Sequence, residues 1–580
     1  MSKDTDWDSE IKDVVRKYAL QNALEYNGNG KPSSVLGRIM SERKDLRAMA
    51  KKLSSLIESE VNIANEIASD EGIESIKRIL TKLNPDALIR KKQIRRTGLP
   101  DLVNTENKKI ILRFAPNPNG PLTLGHSRGI VINSQFAKKY NGKVVLRFDD
   151  TDTKVKPPML EAYNWIEEEY EWISGSPADI VIRASERMPI YLDYAEKMIS
   201  KGFGYVCRCS SGEFKKLRDA GEVSPYRNRS IEENLNDWRD MLNGKMKEGE
   251  GVVRVKTSID LPNPALRDWP ALRIQHGEHP IVGKKYKVWP LLDFQSAIED
   301  HEQRVTHIIR GKDLMDSTRK QKLLYEHFGW NYPETMYWGR VKVFEFGGFS
   351  TSGMKKSIMK SEYSGWDDLR LPTIKSLRRR GFDPSSLRSF WLDLGLTQKD
   401  ISISMQTIES FNIKKIDPIT SRRFFVRNPV KLKMSWKGKN KKFNTILKIP
   451  NHPNSNNIDD IRKWRFNEHE ETLFIENNDY IKENKFRLKD FADASKIGKY
   501  CEVESIERQD RRQIIHWLLE SISREAVLHI PEGNNITIHE GMIEDYDLEE
   551  GKIYQFERVG FAKVENITTG KPIKLIWLHS

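Results

Sequence analysis

The sequence predicts a multidomain α/β protein. Segments with strand and helix patterns alternate between about residues 108 and 345, which is typical of a doubly wound domain with a parallel sheet. Helical patterns precede this domain and a β pattern follows it, and a chain of 580 residues is too long for one hydrophobic core. We therefore expect a helical module at 1–107, the α/β domain at 108–345, a helical connector at 346–420 and a β-rich region at 421–580.

The N-terminal module is predicted from apolar residues at helical spacing. Two apolar faces carry the pattern, one of Ile11, Val14, Val15 and Tyr18 and one of Leu46, Met49, Leu53 and Leu56. A turn cluster at 27–32 separates them. The module ends in a basic cluster, which is either a solvated surface or an RNA contact: Arg90, Lys91, Lys92, Arg95 and Arg96.

The start of the α/β domain is the most informative segment of the chain. The apolar run 109–114 predicts a strand, which leads into a loop with Asn119 and Gly120. Gly125 and His126 then open a helix, so backbone N–H groups and an imidazole are available where anionic phosphate groups bind. The segment therefore predicts a nucleotide site, although it has neither the GxxxxGK[ST] nor the GxGxxG spacing.

A long insertion is predicted at about 184–285, with β-like segments at 251–255 and 263–274. It contains Cys207 and Cys209, a C-x-C pair that could supply half of a zinc site. Because no third and fourth ligand is evident nearby, we expect two reduced thiols and no metal site.

Helical signals return in the connector. Thr373 opens a helix that stops at Gly381, and a second apolar stripe stops at Gly395. After residue 420 the apolar period changes to two, as in Val430, Leu432, Met434 and Trp436. The C-terminal third is therefore predicted to be β-rich.

The charge of the chain points to a polyanionic partner. The net charge is +14, so attraction to nucleic acid is a reasonable expectation for at least one face. With three cysteines, no visible signal peptide and no apolar run near 18 residues, we expect a cytoplasmic protein without a membrane span or a disulfide framework.

The segment 113–152 resembles the catalytic signature of class I aminoacyl-tRNA synthetases of the glutamyl and glutaminyl branch. That branch reads RFxPxPxG, then two residues, then His-Ile-Gly-His and a downstream acidic strand; this chain has RFAPNPNG, then TLGH at 123–126, then FDDTD. Two further stretches, 303–321 and 364–381, are similar to the same branch. The β-rich C-terminal third resembles the archaeal type, which ends in β-barrels.

The resemblance implies ATP-dependent attachment of L-glutamate to tRNA(Glu) through a glutamyl adenylate, with ATP and Mg²⁺ required. It assigns a Rossmann-like catalytic domain to 108–345, whose insertion binds the tRNA acceptor end, and β-barrel anticodon-binding domains to 421–580. We expect a monomer, and charging of tRNA(Gln) as well stays open. Basic and aromatic residues of the last region could contact the anticodon arm: Arg422, Arg423, Lys431, Lys433 and Trp436.

In this family, the signature residues act on ATP. The resemblance makes His126 a catalytic donor to ATP, and Gly125 lets the nucleotide approach the backbone closely. The other predicted ATP-binding residues are Asn119, Gly120, Thr123 and Ser352. Thr123 replaces the first His of the signature.

The second class I motif, close to Lys-Met-Ser-Lys-Ser in relatives, falls on Phe349–Ser357, and Gly353 stands where its second lysine is expected. A flexible loop could still deliver Lys355 or Lys356 to the phosphates, because a lysine acts as a mobile point charge. The alternative is that both lysines face solvent.

Substrate choice is predicted to depend on arginines. Arg113 ends the first strand, and Arg310 stands where glutaminyl enzymes place a Cys. A guanidinium pairs with a carboxylate but meets the donors of an amide, so glutamate is favoured over glutamine. The resemblance also places Asp149 at the substrate ammonium and Asn117 beside the amino acid, although either could satisfy backbone groups instead. Leu292 replaces a tyrosine of many relatives.

Two other functions stay open at this stage. Thr123 and Gly353, at two signature positions, are compatible with a catalytically weak paralogue that binds tRNA as a scaffold. A glutaminyl-tRNA ligase is the other alternative, and Arg310 disfavours it.

Overall fold

The computed structural model describes residues 7–83, 98–346, 350–437, 446–455, 460–466 and 471–580. The basic cluster at 90–96 lies outside these residues. No helix in the described ranges is long and apolar enough to cross a membrane. Contacts within the chain divide it into two compact units, 1–96 and 97–580.

The first unit is helical, as predicted. Its helices are α1 Ser9–Glu25, α2 Pro32–Glu42, α3 Ala50–Asp70 and α4 Ile73–Leu83. Asp8 caps α1, since its carboxylate accepts a hydrogen bond from the backbone N–H of Glu10 at 3.2 Å. Val15, Leu53 and Ile76 belong to the apolar core that the helices share.

The second unit begins with the first half of a doubly wound sheet. Its elements are β1 Ile111–Phe114, α5 Leu124–Lys139, β2 Lys143–Phe148, α6 Leu160–Ser174 and β3 Ile180–Arg183. The three strands are parallel in the order β1-β2-β3, with Ile111 paired to Lys143 and Val145 paired to Ile180. β1 and β2 are largely buried, as is usual where helices cover a parallel sheet, and β3 is more exposed.

An insertion with its own antiparallel sheet follows. Its elements are α7 Met188–Ser200, β4 Gly204–Cys207, α8 Ser211–Ala220, α9 Ile231–Asn243, β5 Val252–Val255, β6 Pro270–Ile274 and β7 Val288–Pro290. The strands pair in sequence order. The strand predicted from residue 263 begins only at Pro270, because Asn263 caps a short turn by accepting from the backbone N–H of Ala265 at 3.0 Å.

The C-x-C pair of the insertion is buried and reduced. The Sγ atoms of Cys207 and Cys209 lie 3.5 and 3.6 Å from the hydroxyl of Ser224. No group of three or more His, Cys, Asp or Glu side chains suited to a metal occurs among the described residues.

The second half of the α/β domain reverses the strand order. Its elements are α10 Leu292–Glu302, β8 His307–Gly311, α11 Met315–Phe328 and β9 Glu334–Trp338, and β8 and β9 are parallel. Thr306 lies just before β8. Its backbone N–H donates to the carbonyl of Ile111 at 2.9 Å, and its hydroxyl oxygen accepts from the N–H of Ile111 at 3.0 Å. The chain thus places β8 beside β1, on the side away from β2, which creates a topological switch point.

The connector is mostly helical. Its elements are β10 Val341–Val343, α12 Thr351–Met359, α13 Ile374–Arg380, α14 Pro384–Leu394, β11 Ile401–Ile403 and α15 Met405–Ile416. Thr373 caps α13 by accepting from the N–H of Ser376, and Gly381 ends it at a φ of 106°, as predicted.

The C-terminal third is β-rich, as predicted. Its elements are β12 Arg422–Arg423, β13 Phe425–Arg427, β14 Pro429–Trp436, β15 Ile446–Pro450, β16 Ile461–Arg465, β17 Glu471–Glu476, α16 Asn477–Lys482, β18 Lys485–Leu488, β19 Asp493–Ile497, β20 Tyr500–Ser505, β21 Gln513–Ile515, β22 Trp517–Leu519, β23 Ser523–Glu532, β24 Asn535–Glu544, β25 Ile553–Phe556, β26 Gly560–Asn566 and β27 Ile573–His579. They form two seven-stranded near-barrels, β12-β25-β26-β27-β23-β24-β13 and β21-β18-β19-β20-β14-β17-β22, and a separate β15-β16 pair.

Two of the predicted anticodon contacts are buried instead. Arg422 pairs with the carboxylate of Asp417 at 2.7 Å, and Arg423 donates to the carbonyl of Tyr546 at 3.0 Å. Their polar heads are therefore engaged within the protein, which contradicts the expectation that they pair with tRNA phosphates. Lys431 and Lys433 are exposed, and Trp436 packs against the core of its barrel.

Candidate active site

A cavity of about 860 Å³ opens at the carboxyl ends of the parallel strands. Arg113 from β1, Asp149 after β2, Arg310 from β8 and Trp338 from β9 all line it. Ligands of doubly wound sheets bind at this edge, next to the switch point, because the loops that follow neighbouring strands diverge there. The cavity is therefore the candidate active site.

His126 stands at the N-terminus of α5 and faces this cavity. The backbone N–H of Thr123 donates to its Nδ1 at 3.1 Å. Because Nδ1 accepts, the proton of the neutral ring belongs on Nε2. His126 is exposed at the cavity, and desolvation by the protein atoms around its ring, with a smaller contribution from Lys156, lowers its pKa to about 4. His126 is thus a neutral donor near pH 7.

Two predicted ATP-binding residues have structural roles and do not line the cavity. Thr123 precedes α5, orients His126, and forms an isolated antiparallel bridge with Thr373. Gly120 packs so closely that a Cβ there would lie 2.7 Å from the Thr351 methyl and 3.0 Å from the Trp366 ring. Gly120 therefore joins the first signature segment to the second one, and Thr123 joins it to the stretch 364–381, whereas Asn119, Gly125 and His126 line the cavity.

The second signature segment begins a helix within the described residues, where a flexible loop was predicted; Phe349 lies outside those residues. Ser350 caps α12 by accepting from the N–H of Gly353 at 3.1 Å, which orders the first turn. Ser352, predicted to bind ATP, lines the cavity. Lys355 and Lys356 lie further along the helix and do not line it, so their delivery to a phosphate would require α12 to move or unwind.

A cluster of buried charges lies beside the cavity, which Arg113 and Asp149 of this cluster line. Asp300 accepts from Arg147 Nη1 at 2.7 Å and from Arg113 Nε at 3.3 Å, and Arg147 Nε also donates to Asp149 Oδ1 at 2.8 Å. Burial disfavours the charge of Asp300, but Arg113 and Arg147 outweigh burial and hold its pKa below the usual value. Burial, together with the nearby Arg310 and Arg147, lowers the pKa of Arg113 to about 10.

Arg310 brings a charge that no carboxylate among the described residues neutralises through a direct ion pair. It is 4% exposed, and its Nη1 donates to the neutral oxygens of Gln321 at 3.1 Å and Thr318 at 3.4 Å. Its Nε is buried and has no hydrogen-bond partner within the described chain. Three guanidinium groups thus face two carboxylates, and the surplus positive charge suits a carboxylate ligand.

Neutral acceptors stand beside Asp149. Asn117 donates to the backbone carbonyl of Asp149 at 2.9 Å, and Gln295 donates to its Oδ1 at 3.0 Å. The amide oxygens of Asn117 and Gln295 are both buried without a partner in the part of the chain that the structure describes, and both residues line the cavity. An ammonium group next to Asp149 would satisfy them.

Sequence reasoning missed several residues of the site. Arg147, Gln295 and Asp300 bear no signature of their own and become visible only when the fold brings β1, β2 and α10 together. A signal existed for Gln295, because it lies three residues after Leu292 in a stretch already matched to relatives. Lys156, four residues after the FDDTD run, also lines the cavity.

Comparisons with known proteins show the family to which the chain belongs. The family model for tRNA synthetases class I (E and Q), catalytic domain, matches residues 109–418, and the model for their anti-codon binding domain matches 420–513. The chain therefore belongs to the class I tRNA synthetases of the E and Q type.

Curated relatives extend the similarity over nearly the whole chain. A glutamate–tRNA ligase of Archaeoglobus fulgidus is 43% identical over 563 residues, which cover 96% of this chain and 98% of the relative. A glutamate–tRNA ligase of Methanosarcina mazei is 43% identical over 570 residues, covering 96% of each. A crystal structure of a glutamate tRNA ligase from Elizabethkingia meningosepticum in complex with its amino acid covers 54% of this chain and 70% of its own, with 22% identity and a TM-score of 0.37.

Proposed function

We propose that this protein is a glutamate–tRNA ligase, which uses ATP to attach L-glutamate to tRNA(Glu) through a glutamyl adenylate. The observation that carries the proposal is the surplus guanidinium charge of Arg113, Arg147 and Arg310: Arg113 and Arg310 line the same cavity as the helix N-terminus that bears His126, and Arg147 is buried behind them against Asp300. The full-length similarity to curated glutamate–tRNA ligases supports the same activity.

In the first step, an oxygen of the substrate α-carboxylate attacks the α-phosphorus of ATP. A new O–P bond forms, the bond from phosphorus to the bridging oxygen breaks, and pyrophosphate leaves with the electron pair. His126 would donate its Nε2–H to a phosphate oxygen, and the N-terminal turn of α5 would stabilise the negative charge. In the second step, a terminal ribose hydroxyl of tRNA attacks the acyl carbonyl, loses its proton, and releases AMP.

Glutamate would lie between the two polar groups of the cavity. Its side-chain carboxylate would pair with Arg310 and Arg113, and its ammonium would bind Asp149 and the free amide oxygens of Asn117 and Gln295. Glutamine offers an amide whose N–H donors would face guanidinium donors, so it is rejected. The glutaminyl alternative is disfavoured for this reason.

Magnesium fits the site as a companion of ATP. Carboxylates line the cavity, but no group of three metal-ligating side chains occurs in the described ranges. Mg²⁺ binds readily through substrate phosphates and one or two carboxylates, and Asp152 and Asp313 are the nearest candidates on the cavity wall. We also propose that the enzyme is a monomer, since one chain supplies the residues that line the cavity. We propose a cytoplasmic location as well.

Aminoacylation of purified tRNA(Glu) and tRNA(Gln), each with labelled glutamate and labelled glutamine, tests the proposal. We expect glutamate on tRNA(Glu) and no glutamine on either tRNA, and the same assay decides whether tRNA(Gln) also receives glutamate. A scaffold paralogue, which Gly353 at the signature position favours, would bind tRNA but show no glutamate-dependent ATP–pyrophosphate exchange.

A further inference from the structure

The candidate site needs a cation at the triphosphate, and the second signature does not provide one there. Gly353 holds the place of the signature lysine, and Lys355 and Lys356 do not line the cavity. Phosphoryl transfer depends mainly on positioning and on neutralising the charge of the phosphate oxygens. A positive side chain from elsewhere in the chain would neutralise this charge together with Mg²⁺.

Lys156 is the cation best placed for this task. Its side chain is exposed and lines the same cavity as Gly125 and His126. Its ammonium is near enough to His126 to contribute to the lowered pKa of that imidazole, second only to burial. Lys156 and His126 would therefore meet the same anionic ligand.

The other cations on the cavity wall contact polar groups of the protein, and Arg113 and Arg310 are assigned above to the substrate carboxylate. Arg113 pairs with Asp300 at 3.3 Å, Arg310 donates to Gln321, and Arg273 lies 3.7 Å from the carboxylate of Asp152. Lys156 has no side-chain hydrogen bond or ion pair with any residue that the structure describes. An unpaired ammonium on a flexible stem can follow a phosphate chain as a mobile charge.

The backbone on both sides of Lys156 is fixed. Before it, the carboxylate of Asp152 accepts from the N–H groups of Lys154 and Val155 at 3.0 and 2.9 Å. After it, two prolines restrict the chain, and the N–H of Met159 donates to the carbonyl of Pro118 at 2.8 Å, in the loop after β1. The segment thus holds the Cα of Lys156 beside the cavity while the side chain stays free.

We propose that Lys156 is a catalytic residue of adenylate formation, whose ammonium binds the triphosphate of ATP in place of the absent signature lysine. This inference rests on the proposed function. Lys156 would neutralise the oxygens of the departing pyrophosphate while the new O–P bond forms on the α-phosphorus, and no proton transfer to or from Lys156 is part of the step. Its charge would also assist the reverse reaction, in which pyrophosphate attacks the adenylate.

The test compares Lys156→Met with Lys154→Met in glutamate-dependent ATP–pyrophosphate exchange on the full chain. Lys154 is a matched control, because it lies two residues away, is exposed and pairs with Glu248 at 2.6 Å outside the cavity. We expect Lys156→Met to lower the exchange rate by at least about tenfold, Lys154→Met to stay within about twofold of the wild type, and Lys156→Arg to recover much of the loss. A Lys156→Met rate within about twofold of the control would overturn the inference.

Two further readouts separate this inference from the function on which it depends. In NMR titrations of labelled histidines, Lys156→Met should raise the pKa of His126, whereas Lys154→Met should not; an unchanged pKa would contradict the placement. If the wild type itself showed no glutamate-dependent exchange, the proposed function would fail. The affinity for ATP alone would then decide about Lys156, with weaker binding by Lys156→Met supporting the inference and equal binding overturning it.

Discussion

Replacing Arg310 with Gln removes the charge proposed to select the substrate carboxylate. The guanidinium is 4% exposed and donates only to neutral oxygens, at 3.1 and 3.4 Å, so its charge is available to the ligand. Losing one partner of a buried, hydrogen-bonded charge pair costs about 2–5 kcal/mol. We therefore expect Arg310→Gln to lower kcat/KM for glutamate by about 30-fold to about 4000-fold.

The assay is steady-state aminoacylation of tRNA(Glu) with glutamate and with glutamine. The kcat/KM for glutamine should change little in Arg310→Gln, so the preference for glutamate should be lost. Arg310→Lys should retain part of that preference, because the positive charge remains. The variant should still fold, because removing the positive charge of Arg310 removes its repulsion of Arg113, which contributes to the lowered pKa of Arg113. Thermal melting of the variant checks this. A folded Arg310→Gln enzyme with an unchanged preference would refute the role of this guanidinium.

Three other variants test the signature histidine, the second signature segment and a buried carboxyl group. His126→Ala should slow ATP–pyrophosphate exchange by at least about 100-fold while tRNA affinity, measured by filter binding, changes little; an equal rate would remove His126 from the chemistry. Replacing both Lys355 and Lys356 with Ala should leave exchange within about threefold, because neither lines the cavity, and a larger fall would restore the sequence prediction. Glu169 accepts from the Leu122 N–H at 2.7 Å, and burial raises its pKa to about 8 from 4.5. Glu169 therefore ionises at a lower pH in the unfolded chain than in the folded chain, so this group makes the free energy of unfolding fall as pH rises from about 4.5 to 8. Glu169→Gln should lose this pH dependence when unfolding by denaturant is measured across that range. An unchanged pH dependence would contradict the reasoning.

Features that depend on local sequence could be predicted. Thr373 and Gly381 bound α13 because a hydroxyl cap and a left-handed glycine need no distant partner. Gly125 and His126 lie at a helix N-terminus for the same reason, and the period of two after residue 420 indicates strands wherever they pair. The order of the strands within each near-barrel is not encoded in that period.

Features that depend on distant partners could not be predicted. Arg147 and Asp300 are 153 residues apart, and only the sheet brings them together. Gly120 was predicted to approach ATP, but its close neighbours are Thr351 and Trp366, from a segment more than 200 residues later. The α12 helix was missed because Gly353 indicates flexibility, whereas the Ser350 cap orders that turn.

The central claim is that guanidinium groups recognise the side-chain carboxylate of the substrate. A crystal structure of this protein with bound L-glutamate tests it most directly. We predict the γ-carboxylate within hydrogen-bonding distance of Arg310 and Arg113, and the ammonium beside Asp149 and Gln295. A γ-carboxylate that points away from both arginines would contradict the claim, even if the amino acid occupied the cavity.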